Sequence, residues 1–250
     1  MVPPADPLLQ VAGLTVAFGG VHALQDVSLD VARGETLGLI GPNGAGKTTF
    51  LNAATGFVRP TAGTIRLAGT DVTRLSAHRR ARSGLARTFQ DVRLFGALSA
   101  RDNVAAAAIG AGSRRRAAEL QADRLLDRLD LGDRADVQAS ALAYGDARRL
   151  SIARALAIDP QVLMLDEPAA GLNDSETRRL GLAVRAIVEQ HACALVVVEH
   201  DIDFIMSVCT RIHVLDHGRT LTSGDPATVR ADPQVVASYF GARAEVPSDA

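Results

Sequence analysis

LGLIGPNGAGKTT, residues 37–49, is the stretch that decides the fold of this chain. Its first four residues are apolar and predict a short buried strand, and the glycines that follow let the backbone curl so that its N–H groups point at a phosphate. The spacing matches the full G-x-x-x-x-G-K-T pattern of a P-loop, where the next helix directs its positive end at the same phosphates. A nucleoside triphosphate is therefore expected at nine residues: Gly41, Pro42, Asn43, Gly44, Ala45, Gly46, Lys47, Thr48 and Thr49.

Two side chains of this loop carry chemistry. Lys47 is placed to reach the β- and γ-phosphates, and the Thr48 hydroxyl is a ligand for Mg²⁺. The alternative is a glycine-rich loop with a purely structural role, which the complete spacing disfavours. The sequence therefore predicts a nucleotide site that uses Mg²⁺.

The composition fits one domain that does not bind nucleic acid. The chain has 250 residues, 47% of them hydrophobic, and a net charge of −1. This length supports one sizeable core with a small subdomain, and the balanced charge gives no electrostatic reason to expect nucleic acid as a partner. The basic run Arg114–Arg116 is followed by acidic residues and is interpreted as a solvated helix face.

Neither a membrane span nor a disulfide is predicted. No apolar run approaches the roughly 20 residues of a membrane helix, and Met1–Pro7 lacks the charged-then-apolar pattern of a secretory signal. The two cysteines, Cys193 and Cys209, lie in apolar contexts, which predicts buried thiols in a reducing compartment. If the protein works at a membrane, another polypeptide must hold it there.

The hydrophobic pattern predicts an α/β fold. Apolar runs and alternation predict strands at Leu9–Phe18, Val27–Val31, Thr36–Ile40, Thr64–Leu67, Ala86–Phe89, Val162–Leu165, Ala194–Val198 and Arg211–Leu215. Helical spacing predicts helices at Lys47–Thr55, Ala77–Ser83, Ser175–Gln190, Asp201–Cys209 and Pro233–Phe240. The alternation of the later elements predicts a mostly parallel sheet covered by helices, with an antiparallel β part near the N-terminus.

A helical subdomain is predicted within this core. Residues from about 91 to 158 are rich in alanine, leucine and arginine and carry no strand signal. The prediction is one domain over residues 8–241 with this insertion, followed by a loose polar tail over 242–250.

A pair of carboxylates follows one predicted strand, in Asp166-Glu167-Pro168. A P-loop fold needs an acid one strand away from the loop to hold Mg²⁺, and Asp166 suits that role. Glu167 is placed to polarise the attacking water as a general base. A solvated strand end is the alternative, which the upstream P-loop makes the weaker interpretation.

At this point the sequence resembles the ATP-binding subunits of ABC transporters, and the resemblance covers nearly the whole chain. It implies that Phe18 stacks on adenine, that Gln90 senses Mg²⁺ and an attached membrane domain, and that His200 is the switch histidine. It also places Leu142–Asp146 at the LSGGQ signature and Ala169–Asn173 at the D-loop. Taken alone, Phe18 would be a core residue, Gln90 a surface amide and His200 a polar residue at a strand end.

The signature segment departs from the LSGGQ pattern. Ala143 replaces the serine and offers no hydroxyl, Tyr144 replaces the first glycine, and Asp146 replaces the glutamine. The backbone N–H of Gly145 and the dipole of the following helix remain. The resemblance implies that Ala143, Tyr144 and Gly145 close over the ATP of a second ABC ATPase subunit, so that two ATP molecules lie between two subunits.

Longer segments resemble one subgroup. RTFQDVRLF, LAYGDARRLSIARAL and LDEPAAGLN are similar to the larger ATPase subunit of importers for branched-chain amino acids. That likeness implies ATP hydrolysis coupled to import and a peripheral location on the cytoplasmic face of the cell membrane. It also implies integral membrane permease subunits as partners and, indirectly, a solute-binding protein outside the membrane.

Other functions stay open on the residues alone. Importers of urea or short amides share much of the pattern. A soluble ABC ATPase of cofactor assembly also remains, whereas translation-type members carry two ATPase units and repair-type members a long coiled coil. A P-loop kinase would need a phosphoryl-acceptor site, and Glu167 argues against it.

Overall fold

The structure is a computed structural model that describes residues 7–191 and 193–240, so the predicted tail over 242–250 lies outside the described residues. Within this range the strands are β1 (Leu9–Phe18), β2 (Val21–Val31), β3 (Thr36–Ile40), β4 (Ala62–Leu67), β5 (Thr70–Asp71), β6 (Leu85–Arg87), β7 (Val162–Asp166), β8 (Ala194–Val198), β9 (Arg211–Asp216) and β10 (Arg219–Gly224). The helices are α1 (Lys47–Thr55), α2 (Ala77–Arg82), α3 (Ala100–Gly110), α4 (Arg115–Arg128), α5 (Tyr144–Leu156), α6 (Asp174–His191), α7 (Ile202–Val208), α8 (Pro226–Ala231) and α9 (Pro233–Phe240).

A six-stranded sheet in the order β10-β9-β3-β8-β7-β6 forms the centre of the fold. Strands β9, β3, β8, β7 and β6 run parallel to their neighbours, and β10 alone is antiparallel. The carboxyl ends of parallel strands meet at one edge, so the P-loop after β3, the acids after β7 and His200 after β8 share that edge. The predicted arrangement is confirmed, because one strand, β8, lies between the P-loop strand β3 and the acidic strand β7.

A second, antiparallel sheet has the order β2-β1-β4-β5. One hydrophobic cluster fills the space between the two sheets and around α1, and a second cluster lies on the other face of the central sheet. Strand β8 shows how this works, because Leu195 and Val197 belong to one cluster and Val196 and Val198 to the other. Alternate residues of a central strand are buried on opposite faces, so the strand is apolar throughout.

Three helices, α3 to α5, form the stretch between β6 and β7. Their contacts are made largely by alanines such as Ala105, Ala108, Ala118 and Ala122, which are buried and let the helix backbones approach closely. The buried Asn103 ties the preceding loop down, since its amide donates to the carbonyls of Phe95 and Ser99 at 3.0 and 2.9 Å. The helical content is as expected, and the domain limits 8–241 and 91–158 remain predictions.

Three elements were not predicted from the sequence: β5, β10 and α8. Strand β10 follows a tight turn in which His217 and Gly218 both have positive φ, 44° and 76°, as a two-residue hairpin requires. Helix α8 begins at Asp225, whose carboxylate accepts from the Thr228 N–H at 3.0 Å, with a proline in the first turn. These signals are local turn and capping residues rather than apolar periodicity.

Both thiols are buried, as predicted for Cys193 and Cys209. Burial raises the pKa of the Cys209 thiol to about 12. Within the described ranges, no helix combines the length and the hydropathy that crossing a bilayer requires.

A fully buried guanidinium fixes the end of the P-loop helix. Arg80, on α2, is 1% exposed and donates from Nη1 to the carbonyls of Ala53 and Ala54 at 2.7 and 2.6 Å. Its Nη2 and Nε donate to the carbonyls of Thr73 and Leu75 at 2.7 and 3.1 Å. The positive charge therefore sits at the C-terminal end of α1, where carbonyls otherwise lack partners and the helix dipole is negative.

Replacing this group tests its role. We expect Arg80→Met to destabilise the fold by about 2–4 kcal/mol, because buried carbonyls lose their donors while the apolar stem is kept. Its exposed neighbour on the same helix gives a matched control, Arg79→Met, whose effect should stay within about 0.5 kcal/mol. Urea unfolding measures both; similar losses for the two variants would contradict the anchoring role.

Candidate active site

The P-loop joins β3 to α1 and has the backbone shape that the glycine spacing predicted. Gly44 and Gly46 have φ of 82° and 102°, a region that side chains rarely adopt. A Cβ atom at Gly46 would lie 2.7 Å from the Ala23 carbonyl oxygen, so the loop also packs too closely there for any other residue. The helix begins at Lys47, with its free N–H groups directed into the loop.

The amine of Lys47 lies inside this loop. Lys47 is 6% exposed, and its Nζ donates to the carbonyls of Gly41 and Pro42 at 2.6 and 3.0 Å. Burial lowers the pKa of this amine below its usual value, and the negative charge of Glu167 opposes that shift. A charged donor is thus held where a phosphate chain would lie against the loop.

The remaining loop residues differ in exposure. Ala45 is 2% exposed and belongs to the core, whereas Asn43 and Thr48 are exposed and Pro42 and Thr49 are partly buried. The Thr48 hydroxyl is therefore accessible at the first turn of α1.

Asp166 ends β7 in an ion pair that the sequence did not predict. Its Oδ2 accepts from Arg87 Nη2 at 2.6 Å, and the two side chains are 8% and 6% exposed. Arg87 also donates from Nη1 to Asn52 Oδ1 at 2.7 Å, while its buried Nε has no partner among the described residues. The guanidinium compensates the buried carboxylate charge and ties β6 and α1 to the acidic strand.

The structure brings Glu167, Gln90 and His200 together. Glu167 Oε2 accepts from Gln90 Nε2 at 2.7 Å, and Glu167 Oε1 lies 2.9 Å from His200 Nε2. Glu167 has φ of 48° and its N–H donates to the Val198 carbonyl at 2.9 Å. The three polar side chains singled out on motif grounds thus form one hydrogen-bonded group at the edge of the sheet.

A second carboxylate lies directly behind this group and was missed at the sequence level. Glu199 is 3% exposed; its two oxygens accept from the N–H groups of Ala169 at 2.6 Å and of His200 at 3.0 Å. Burial raises the pKa of this carboxyl, and the backbone donors oppose the shift. Glu199 therefore fixes the start of the D-loop and the turn that carries His200. The feature of the sequence that could have identified Glu199 is its position between the apolar strand β8 and His200.

The signature residues lie on the helical subdomain. Ala143 is the residue before α5, and Tyr144 and Gly145 form its first turn. Gly145 is buried, and a Cβ there would lie 2.7 Å from Glu176 Oε1. A side chain at this position would therefore have to displace the carboxylate of Glu176, on α6 of the same subunit, a contact that the sequence did not suggest. Among the described residues, no hydrogen bond joins the signature residues to the P-loop.

Phe18 closes β1 on the antiparallel sheet, paired with Val21 across the turn. Its side chain is 52% exposed. The alternative that Phe18 is a core residue is therefore wrong, and its contact with adenine remains a prediction.

A P-loop on a parallel strand, with a lysine in the loop and a glutamate held by an amide and a histidine at the same edge, defines a P-loop nucleotide-binding protein. A family model described as "ABC transporter" matches residues 24–170. The chain belongs to this family, as an ATP-binding cassette, which confirms the resemblance drawn from the motifs. A second model, described as "Branched-chain amino acid ATP-binding cassette transporter", matches residues 219–245.

Individual relatives support the same family assignment. The high-affinity branched-chain amino acid transport ATP-binding protein LivG of Escherichia coli (strain K12) is 41% identical, over 95% of this chain and 99% of its own length. The corresponding protein BraF of Pseudomonas aeruginosa is 41% identical over 94% and 98%. Among solved structures, the ADP conformation of MJ1267, an ATP-binding cassette of an ABC transporter, superimposes with a TM-score of 0.86 at 25% identity, covering 95% of this chain and 100% of that one.

The P-loop geometry can be tested through Lys47, the only lysine in the sequence. Biosynthetic ¹³C-lysine labelling therefore gives one set of side-chain resonances. Without nucleotide, we expect the pKa of Lys47 to lie below its usual 10.5, because burial disfavours the charged amine. Added ATP and Mg²⁺ should raise it, because phosphate oxygens favour the ammonium form. A pH titration of the ¹³Cε shift measures both values, and Lys47→Ala assigns the signal. A resonance that ATP does not move would contradict the assignment.

Proposed function

We propose that this chain is the ATP-hydrolysing subunit of an importer for branched-chain amino acids, held at the cytoplasmic face of the membrane by a separate permease. The carboxylate of Glu167, bonded to Gln90 and His200 beside the P-loop, is the observation that carries the hydrolytic part of this proposal. The solute is inferred from LivG and BraF and from the family match at residues 219–245. These likenesses favour branched-chain amino acids over urea, short amides or cofactor assembly.

The chemistry follows from the positions of these groups. The backbone N–H groups of the P-loop and the Lys47 amine hold the β- and γ-phosphates, and Phe18 offers a half-exposed ring for adenine. Glu167 accepts a proton from the attacking water, since its carboxylate is oriented from both sides. His200 stabilises charge near the γ-phosphate. Positioning and electrostatics lower the barrier, and little covalent chemistry is required of the protein.

The oxygen donors at this edge fit Mg²⁺, which prefers hard oxygen ligands and takes few of them from protein. Thr48 supplies an accessible hydroxyl, Asp166 a carboxylate, and Gln90 an amide oxygen, since its nitrogen is the atom bonded to Glu167. When bound, the cation would neutralise charge on the β- and γ-phosphates. Arg87 holds one Asp166 oxygen, so the metal would share this carboxylate with a guanidinium.

A second ABC ATPase subunit completes the site in this proposal. The first turn of α5 presents backbone N–H groups, and Ala143 contributes no hydroxyl, so the partner's γ-phosphate would be bound mainly by backbone donors. Gly145 faces Glu176 in its own subunit. A side chain at this position would require the Glu176 carboxylate to move, so Gly145 variants also change a contact within the subunit.

The permease is proposed to dock in an apolar groove of about 740 Å³ between the core and the helical subdomain. The groove lies beside the segment that follows Gln90, and its apolar lining includes Phe57, Leu85, Phe89, Phe95, Ala107 and Ile158. Phe95 and Phe57 are each 57% exposed, an unusual exposure for aromatic side chains. The occupant we propose is a short cytoplasmic helix of the permease, since its movement would act on Phe89 and Arg93, which line the groove and flank Gln90 in the sequence.

The hydrolytic assignment is tested with Glu167→Gln. Glutamine is nearly isosteric but accepts no proton, so turnover should fall by about 10²–10⁴-fold while ATP binding is kept. ATP should also trap a closed dimer, which sedimentation detects. The exposed acid on α6 provides a matched control, Glu189→Gln, which should hydrolyse ATP normally. Near wild-type hydrolysis by Glu167→Gln would refute the general-base role.

The transport assignment is tested with Phe95→Ala in the assembled complex. Because Phe95 lines the groove and its backbone is held independently by Asn103, we expect unchanged ATPase in the isolated subunit. Uptake of labelled leucine by the complex with its permease and solute-binding protein should fall several-fold. The control is Leu120→Ala, which changes an apolar residue of α4 whose side chain is 55% exposed. Uptake of urea but not leucine would refute the solute, and equal loss of ATPase and uptake would refute the docking role.

A further inference from the structure

Tyr144, the residue that stands in place of a signature glycine, is bonded to an arginine one turn further along α5. Tyr144 Oη accepts from Arg148 Nε at 3.1 Å and from Nη2 at 2.6 Å. The same guanidinium lies over the Tyr144 ring, with its central carbon 5.1 Å from the centroid. Two hydrogen bonds and the ring contact fix the tyrosine and the arginine relative to one another.

The guanidinium of Arg148 also contacts residues outside α5. Arg148 Nη1 donates to the Gln90 carbonyl at 2.6 Å and approaches the Phe89 carbonyl at 3.5 Å. Arg148 is only 5% exposed, so water does not readily replace these partners. The side chain of Gln90 then donates to Glu167 at 2.7 Å. A continuous series of contacts therefore runs from the signature to the catalytic carboxylate of the same subunit.

The ring of Tyr144 also rests on the D-loop. Gly171 has φ of 78°, and a Cβ there would lie 3.0 Å from Tyr144 Cε1. The tyrosine thus contacts the loop that follows Glu167, while its hydroxyl is bonded to the group that holds Gln90. A glycine at position 144 would make neither contact.

We propose that Tyr144 and Arg148 are positioning residues that make hydrolysis in one subunit depend on the engagement of its own signature with the partner's nucleotide. This inference rests on the proposed two-subunit site. If α5 moves as the signature closes, the buried guanidinium either carries the Gln90 backbone with it or loses a charge-assisted hydrogen bond. Because Gln90 orients Glu167, the position of α5 sets the geometry of the general base. The two ATP sites are thereby linked.

The test compares Tyr144→Phe, Arg148→Met and the double variant. Tyr144→Phe keeps the ring and removes the acceptor; Arg148→Met keeps the stem and removes the donors. We expect each to lower kcat by about tenfold and to reduce the Hill coefficient for ATP to about 1, with the ATP affinity of the monomer unchanged. The double variant should lose little more than Arg148→Met alone, since both changes break one linkage.

A matched control separates positioning from folding. Arg149 is the next residue on α5, is 8% exposed and pairs with Asp130 and Asp146 at 3.0 and 2.5 Å. Arg149→Met removes a buried guanidinium from the same helix, so it should lower stability to urea yet keep the Hill coefficient of the wild type. Equal loss of cooperativity in Arg149→Met would show that destabilisation of α5 is the cause.

The outcomes separate the two proposals. Failure of Glu167→Gln to dimerise with ATP would overturn the two-subunit site itself. If dimerisation is intact, a Hill coefficient of 1 in the unmodified protein would overturn the linkage. Unchanged cooperativity in Tyr144→Phe and Arg148→Met would overturn it as well. So would strictly additive losses of kcat in the double variant. Reduced cooperativity in both single variants, absent in Arg149→Met, supports the assignment.

Discussion

The position of the Glu167 carboxylate is the constraint on which the rest of the site depends. Glu167 occupies the left-handed region with φ of 48°, which costs a residue with a side chain about 1–2 kcal/mol. The N–H of Glu167 donates to β8 at 2.9 Å, and its two oxygens meet Gln90 and His200. These contacts, made by the segment after β6 and by the end of β8, hold a conformation that the local chain would not adopt. The left-handed turn at Glu167 is thereby held by contacts with the rest of the fold, in the orientation in which this carboxylate would act as the proposed general base.

Charge at this edge is balanced by a few buried cations. Asp166 is paired with Arg87, and the Lys47 amine lies near enough to Glu167 for their charges to interact. Among the described residues no ion pair includes Glu199, which accepts from backbone N–H groups instead, and burial raises the pKa of its carboxyl. A triphosphate with its cation would add charges of both signs to this arrangement. Asp166 and Glu199 accept hydrogen bonds from donors of the protein itself, and Glu167 is the carboxylate proposed to accept a proton from water.

Apolar runs predicted the parallel strands of the central sheet and motifs predicted where the candidate site residues lie, because each strand and each motif is encoded by residues close together in sequence. The P-loop, the carboxylates after β7 and His200 after β8 could be assigned since parallel strands bring their ends to one edge. Arg80, Arg87 and Arg148 could not, because their partners are distant backbone carbonyls or a single distant acid that no spacing encodes. The surroundings of Gly145 could not be predicted either, since its neighbour Glu176 lies on another helix.

The place of the helical insertion connects the proposed docking groove with the proposed phosphate site. The chain leaves the core after β6, which ends three residues before Gln90, and returns from α5 into β7, which ends at Asp166 and is followed by Glu167. Strands β6 and β7 are parallel neighbours in the sheet. In the proposed function, a displacement of the three helices would therefore act at both ends of the insertion on the residues around Glu167, and Arg148 joins those ends through the Gln90 carbonyl.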